Sequence, residues 1–565
     1  MRYRPLALFA LTAGLAVLCG DFTDAGAQVP KQKKGKKVDP TPVTPTTTEP
    51  TETTRAKQLT PPKLAMPADK DAAAVAKVID EEVQRRLSEA KLVPSAICSD
   101  VEFLRRAYLD ITGSIPPAEK AKVFIDSTDT DKRAKLLDEL LADPNYGRRM
   151  ADIWTAKLFP KDSGNRLLTK EPLYKWFEEE FNKNVPWSEL VTSLVTATGE
   201  VDANPAVMYY LANRSIDKLT DTVGQHFLGL QIQCAQCHNH PFTSWKQTEY
   251  WGMAAFFSKV KTDLPKNANK GGDNTKLSAS ETPGRSKQKD FLPESAKNLP
   301  PKFLGGPEAK LNQNEPYRPA LAKWMTSAEN PYFSRALVNR TWALLLGRGF
   351  VNPVDDMIPE NEPSHPELFD ALAYHIGATG FDLKYLMKCI CLSQTYQRTS
   401  KPTPENKGDT KLFSHMTVKV MSPEQLFDSL GKVTGNIRNS DVGKGPKGGG
   451  KGGVPGGARA QFVNFFLAGA DTASAIDYEV GIPQALRLMN SPIANNPAAV
   501  RAIVGVASDP VEAIERIYLA ALSRRPTDEE KKNLADYVNK SSTRATAYGD
   551  ILWAVLNSSE FTLVR

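Results

Sequence analysis

Ser99-Asp-Val-Glu-Phe-Leu-Arg-Arg-Ala-Tyr-Leu-Asp-Ile-Thr-Gly113 is the stretch that decides the fold class. Ser99 and Glu102 stand three apart, as in a capping box, ahead of Phe103, Leu104, Tyr108 and Leu109 at helical spacing. Gly113 and Pro116 then stop the run. The same period recurs outward from it, in Val75, Ile79, Val83 and Leu87 on one side and in Leu136, Leu137, Leu140 and Leu141 on the other. Met150, Ile153, Trp154 and Leu158 continue it, as do Tyr174, Trp176, Phe177 and Phe181, and no strand-turn-strand signal interrupts them. Farther along, residues 333–345 end at Gly347, and Ser364 is placed to cap a helix through Leu368, Leu372 and Tyr374. Ser422-Pro-Glu-Gln425 is a second capping box, with proline at the first helical position. The sequence predicts a mainly α protein: two helical regions separated by a polar low-complexity segment, with a flexible N-terminal linker.

At 565 residues the chain exceeds one compact core. Arg2 and Arg4 precede an apolar run over residues 6–18, and Ala25-Gly-Ala27 offers small residues for cleavage before Gln28. Residues 1–27 read as a secretory signal peptide, so the chain is expected to be exported to the periplasm or cell envelope. Cys19 does not read as a lipidation site, because Leu18 stands where a small residue is wanted. Residues 28–68, rich in Lys, Pro and Thr, read as a linker without the apolar side chains that would offset the entropy of ordering. Residues 69–258 form the first helical region, 259–316 the polar segment, and 317–565 the second helical region, interrupted by a Gly-rich loop at 442–458. That loop lacks the Gly-Lys-Ser/Thr ending of a phosphate cradle. No stretch after the leader approaches about 18 consecutive apolar residues, so the mature chain is expected to have no membrane span.

Hydrophobic residues at 41% and charged residues at 24% suit a soluble globular protein. The net charge of +7 is spread over a large surface, and its densest cluster, at 31–37, has no helical period. Nucleic-acid binding is not expected.

Cys234-Ala-Gln-Cys237-His238 carries the chemistry. Attachment of haem c needs two thiols three positions apart for the two vinyl groups, followed by a histidine for the iron. By composition alone such a five-residue pattern arises on the order of one time in a thousand. Export strengthens the match, since this thioether chemistry is completed outside the cytoplasm. Three other readings fit the same residues. Cys234 and Cys237 can form a redox disulfide, hold zinc with His238 or His240 and a further ligand, or sit inert. A sixth iron ligand, if the chain supplies one, is sought at Met253 or His226, while Phe242, Trp245, Tyr250, Trp251, Phe256 and Phe257 are placed to wall a haem. Cys98, Cys389 and Cys391 leave an odd count, which permits one disulfide from Cys98 to Cys389 or Cys391.

Whether the chain is an enzyme stays open. It has no Gly-x-Ser-x-Gly elbow and no His-Glu-x-x-His helix. His365, near Asp355, Asp356, Glu360 and Glu362, is a candidate acid/base or metal cluster, against the plainer reading of a solvated helix entrance.

The segment 103–113, together with Cys234-Ala-Gln-Cys-His-Asn-His-Pro-Phe242 and residues 250–257, resembles the second planctomycete cytochrome-type domain, a family of unknown function. Asn330-Pro-Tyr-Phe-Ser-Arg-Ala-Leu-Val-Asn-Arg-Thr-Trp342, residues 347–356 and Ile517-Tyr-Leu-Ala-Ala-Leu-Ser-Arg-Arg-Pro-Thr527 resemble the partner domain that usually follows it. Together they cover nearly everything from residue 72 to 565. The resemblance implies haem only through the same Cys-x-x-Cys-His pattern, and it implies no reaction. No separate upstream cytochrome domain is visible, which argues against a multi-haem wire. The expected function is a single c-type haem site in redox or electron transfer, with a redox partner in the cell envelope. The alternative is an envelope scaffold or binding protein whose Cys-x-x-Cys-His segment is a structural metal site or disulfide.

Overall fold

The computed structural model describes residues 59, 61–160, 165, 167–241, 243–264, 276–281, 299–435, 457–467, 482–491, 496–505 and 507–565. The segment read as a signal peptide, most of the linker, Phe242 and residues 442–456 of the Gly-rich loop lie outside them. Residue 458 opens a helix, Ala458–Leu467. Among the described residues no helix is long and apolar enough to cross a membrane.

Helices dominate, as the periodicity predicts. The helix Ala72–Glu89 buries Val75, Ile79, Val83 and Leu87, all at the predicted spacing. Helices Lys132–Ala142, Pro144–Leu158 and Glu171–Asn182 bury the apolar faces read from sequence. The helix Asp100–Thr112 lies between two hydrophobic clusters. Phe103, Leu104, Ala107, Tyr108 and Ile111 enter a large one that runs from Leu59 through Leu519. Leu109 enters a smaller one built from the helices Pro423–Thr434, Pro510–Leu522 and Arg544–Leu556. Leu59, Leu64 and Met66, inside the stretch read as linker, pack on the large cluster.

With apolar contacts on both sides, that helix carries its charges inside the protein. Arg106 is 0% exposed; it donates to the carbonyls of Tyr396, Arg398 (3.0 Å) and Arg565 (2.7 Å) and to the Glu102 carboxylate at 2.8 Å. Arg105 donates to the carbonyls of Ala521 (2.9 Å) and Phe561 (2.7 Å). Asp110 accepts from the Tyr396 hydroxyl at 2.9 Å and from Lys419 at 2.6 Å, and Lys419 also donates to the carbonyls of Leu344 and Leu345. A buried charge stays only where such partners replace its water. The expected capping box is therefore half present. Ser99 accepts from the Glu102 amide, but the Glu102 carboxylate turns to Arg106, Thr399 and the Ser400 amide.

At the other predicted boundaries, Gly113 and Gly347 end their helices with φ of 75° and 81°, a conformation that favours glycine. The capping box Ser422/Gln425 is complete. Ser364 does not cap: the helix Pro366–Ala378 starts after His365, and the Ser364 hydroxyl pairs with the His365 Nδ1 at 3.0 Å.

Strands appear where none was read. Strands β1 (Gly199–Glu200), β2 (Val260–Asp263) and β3 (Ser278–Glu281) form an antiparallel sheet in the order β1-β3-β2. Strands β4 (Lys419–Val420) and β5 (Leu563–Val564) form a second pair. The Ser-Ala-Ser-Glu of β3 has no alternating apolar pattern; what fixes it is Glu281, whose carboxylate accepts from Arg318 Nε at 2.9 Å and from the Arg318 amide at 3.2 Å. Polar composition at 259–316 thus conceals a buried ion pair.

Cys98, Cys389 and Cys391 are buried free thiols. Cys98 lies 3.9 Å from Arg106 Nη1, and burial pushes the Cys389 thiol up to about 12, in contact with Tyr385. The disulfide allowed by counting does not form.

Replacing one member of the buried Asp110–Lys419 pair strands the other. Lys419→Met should cost about 3–5 kcal/mol in urea unfolding, whereas Lys77→Met at the exposed Lys77–Glu81 contact should cost less than about 1 kcal/mol. Equal, small losses at both positions would contradict the account of the helix Asp100–Thr112.

Candidate functional site

The Cys-x-x-Cys-His segment follows the helix Ile216–Leu228, which is closed by Gly229 at φ 67°. The positive φ favours glycine there; a Cβ would also meet the Met357 methyl at 2.5 Å, a contact the flexible methionine relieves by shifting. The chain then makes a 3-10 turn, Gln233–Gln236, whose buried Ala235 donates its amide to the Ile232 carbonyl at 2.9 Å. Either side of that anchor the thiols of Cys234 and Cys237 are exposed and free.

The knuckle is held from below by the helix Gln247–Ala254. Gln247 Nε2 donates to the carbonyls of Gln236 (3.1 Å) and Cys237 (2.9 Å), and its amide donates to Asn239 Oδ1 at 3.0 Å. Trp251 Nε1 donates to the Gln236 carbonyl at 2.9 Å, and the His240 amide to the Trp245 carbonyl at 2.8 Å. Backbone groups that a loop would leave to water are satisfied, so the turn is fixed while its reactive side chains face outward. Gln247 and Trp251 stand four apart on one helix face, a spacing visible in the sequence, but only the fold reveals the carbonyls they meet.

His238 is exposed, and its Nδ1 lies 2.7 Å from the Asn239 carbonyl. That carbonyl can only accept, so Nδ1 is the donor, and in the corresponding neutral tautomer the lone pair is on Nε2. A ring oriented in this way is the usual state of a histidine ready to bind a metal. Beneath the knuckle the Tyr250 hydroxyl donates to Asp221 at 3.0 Å. Burial pushes the Asp221 carboxyl up to about 6, against the effect of that hydrogen bond.

The aromatic residues Trp245, Tyr250, Trp251, Phe256 and Phe257 are buried within the large cluster. Met253 is 0% exposed in the same core. His226 is 13% exposed, with Nδ1 3.8 Å from Asp355, too long for a hydrogen bond. Burial lowers the His226 pKa to about 4, against the pull of Asp355. Asp355, which also pairs with Arg340, is raised by burial but held down to about 2 by His226 and Arg340. His226 is therefore neutral beside an ionised carboxylate. The charges around it are Asp355, Arg340 and Lys157, while those around His240 are Asp356, His238 and Glu360. The knuckle thus meets the loop 355–360 of the second helical region, and the Met357 amide donates to the Gly229 carbonyl at 2.9 Å. Sequence reading linked neither that loop nor Asp221 to the motif.

The acidic residues near His365 do not gather around it. Asp355 faces His226, Asp356 binds Asn361, and His365 is buried between Phe350 and Phe413, with burial lowering its pKa to about 3. The candidate acid/base cluster is thereby broken up. Among the described residues no three His, Cys, Asp or Glu side chains are placed to hold one metal ion.

Comparison with known families gives two matches. Residues 78–262 match the family model PSCyt2, described as a protein of unknown function (DUF1549), and residues 317–451 match PSD1, described as a protein of unknown function (DUF1553). Cys234, Cys237 and His238 lie inside the first match, and the loop 355–360 inside the second. These are the cytochrome-like domain and partner domain that the sequence resembles. No curated protein and no solved structure matches the chain.

His226 gives the site a pH signature. Its folded pKa of about 4 lies below the value near 6.5 of an unfolded histidine. Between these values the unfolded chain binds the extra proton, so this contribution to stability is complete above about pH 6.5 and is lost as pH falls toward 4. Asp221, raised to about 6, acts in the opposite sense, and its contribution is lost as pH rises through that value. His226→Gln should flatten the fall in urea midpoint between pH 6.5 and 4 relative to the parent. An unchanged slope would contradict a neutral, enclosed His226.

Proposed function

We propose that this chain is an exported protein of the periplasm or cell envelope that carries one haem c, bound covalently through Cys234 and Cys237 and ligated by His238, and that it serves redox or electron transfer with a partner in the envelope. The observation that carries the reading is the His238 ring: Nδ1 is tied to the Asn239 carbonyl, Nε2 is left for iron in that tautomer, and two free thiols precede it on an ordered turn.

The reading rests on spacing along the chain: haem c asks for two thiols three positions apart, each at its own vinyl, and a following imidazole at the iron, while zinc would need a further ligand beside these three. Each thiol would form a carbon–sulfur bond as its S–H adds across a vinyl group. When bound, the haem supplies a one-electron couple at iron. The residues of the chain fix where it sits: Gln247 and Trp251 hold the turn, and the Asn239 carbonyl sets the tautomer and orientation of His238.

An absorption spectrum tests the proposal, on protein exported from a host that matures c-type haem, beside Cys234→Ala/Cys237→Ala. Sharp reduced bands that survive denaturation in the parent and vanish in the variant are expected. A colourless parent would overturn the proposal, and zinc binding or a Cys234–Cys237 disulfide in its place would favour the scaffold reading.

A further inference from the structure

A cavity of about 740 Å³ lies where the start of the helix Ala72–Glu89 meets the helices Lys132–Ala142 and Leu383–Leu392. Sites that take small molecules run from roughly 300 to 1,000 Å³. Small side chains leave the space: Ala73, Ala134 and Ala142 line it, with Leu141, Leu392 and Tyr385 as larger walls. Tyr385 is 9% exposed and its hydroxyl lies 2.8 Å from His375 Nε2, so that wall is fixed before a ligand arrives.

Three lysines and three aspartates also line it, and their partners are unequal. Lys388 pairs with Asp138 at 2.5 Å and Lys70 with Asp382 at 3.1 Å. Asp382 further accepts from Asn184 Nδ2 at 3.0 Å and from the Tyr385 amide at 3.1 Å, and Asp71 accepts from the amides of Ala73 and Ala74. Lys384 forms no salt bridge with a described carboxylate. Its ammonium lies 3.4 Å from the Asn182 carbonyl and 4.8 Å from the centre of the Tyr146 ring. Burial lowers its pKa, against the pull of Asp382. Lys388 stands one turn farther along the same helix, where a like charge repels.

We propose that this cavity binds a small organic carboxylate, its charged group on Lys384 and its apolar body along Ala73, Ala134, Ala142 and Leu141. An ammonium that has lost part of its water without gaining a counter-ion is stabilised by an anion brought to it. A cationic ligand gains less, because the carboxylates of Asp71, Asp138 and Asp382 are already engaged. The hydrocarbon is needed as well as the charge, since the alanines and leucines offer a polar molecule nothing to bond.

Calorimetric titration of the full chain with octanoate tests this, beside octylammonium and the variants Lys384→Met, Ala73→Trp and Lys77→Met. One octanoate per chain is expected, bound at least about 10-fold more weakly by Lys384→Met, which loses a charge-assisted contact. Ala73 is exposed, so Ala73→Trp fills the cavity from its rim without cutting into the core, and it should abolish binding. Lys77 is exposed on the same helix but outside the lining, and Lys77→Met should bind as the parent does. One variant acts through charge and the other through volume, so either decides the matter if the other fails to fold. No octanoate binding, binding that neither Lys384→Met nor Ala73→Trp weakens, or octylammonium bound as tightly as octanoate would overturn the proposal. Each readout is independent of what residues 234–238 carry.

Discussion

Arg106 brings a full positive charge to a place where no solvent reaches it, and the cost of stripping its water sets terms for the whole chain. Its guanidinium must be met by carbonyls and carboxylates, and these come from residues 102, 396, 398 and 565. Arg105 likewise draws on residues 521 and 561, and Asp110 on residues 396 and 419. Three charges on one helix thus specify contacts with segments 286 to 459 positions away. Hydrophobic burial supplies most of the drive to fold, but it does not choose among similar packings. The buried charges do choose, because any register that leaves one of them unpaired is penalised.

The apolar periods and helix stops were legible in the sequence because they are local. Val75, Ile79, Val83 and Leu87 need only the geometry of their own helix to be read, and Gly113 needs only its own φ. What escaped was set by distant partners. Glu102 has the spacing of a capping box, yet a buried guanidinium one turn away outcompetes a solvent-facing amide for its carboxylate. Ser364 has the composition of a cap, but it is drawn to the neighbouring His365 ring. Strand β3 has no strand pattern at all, and its position follows from the Glu281–Arg318 pair. Arg105, Arg106 and Asp110 carry charges in the same helix, and nothing local says that both sides of it are covered.

The same distinction holds at the candidate site. Cys234, Cys237 and His238 were visible as a pattern, since the chemistry they suit depends on spacing along the chain. Their supports, Gln247, Trp251 and the Asn239 carbonyl, belong to the folded turn. Asp221 and the loop 355–360 approach through tertiary packing alone. Most of the aromatic residues that looked like walls for a haem are core, filled in by the protein itself. The site is thus an ordered knuckle laid on a finished surface, unlike a pocket whose shape depends on its contents.

A knuckle laid on a finished surface leaves the fold independent of the thiols of Cys234 and Cys237, and cooperative unfolding of the Cys234→Ser/Cys237→Ser variant tests this. Far-ultraviolet circular dichroism in urea, run beside the parent, is the measurement. A helical variant with a single transition, close to the parent in midpoint and slope, is the predicted result. A variant that is unfolded, or that lacks a cooperative transition, would contradict the claim and make the segment 234–238 part of the core.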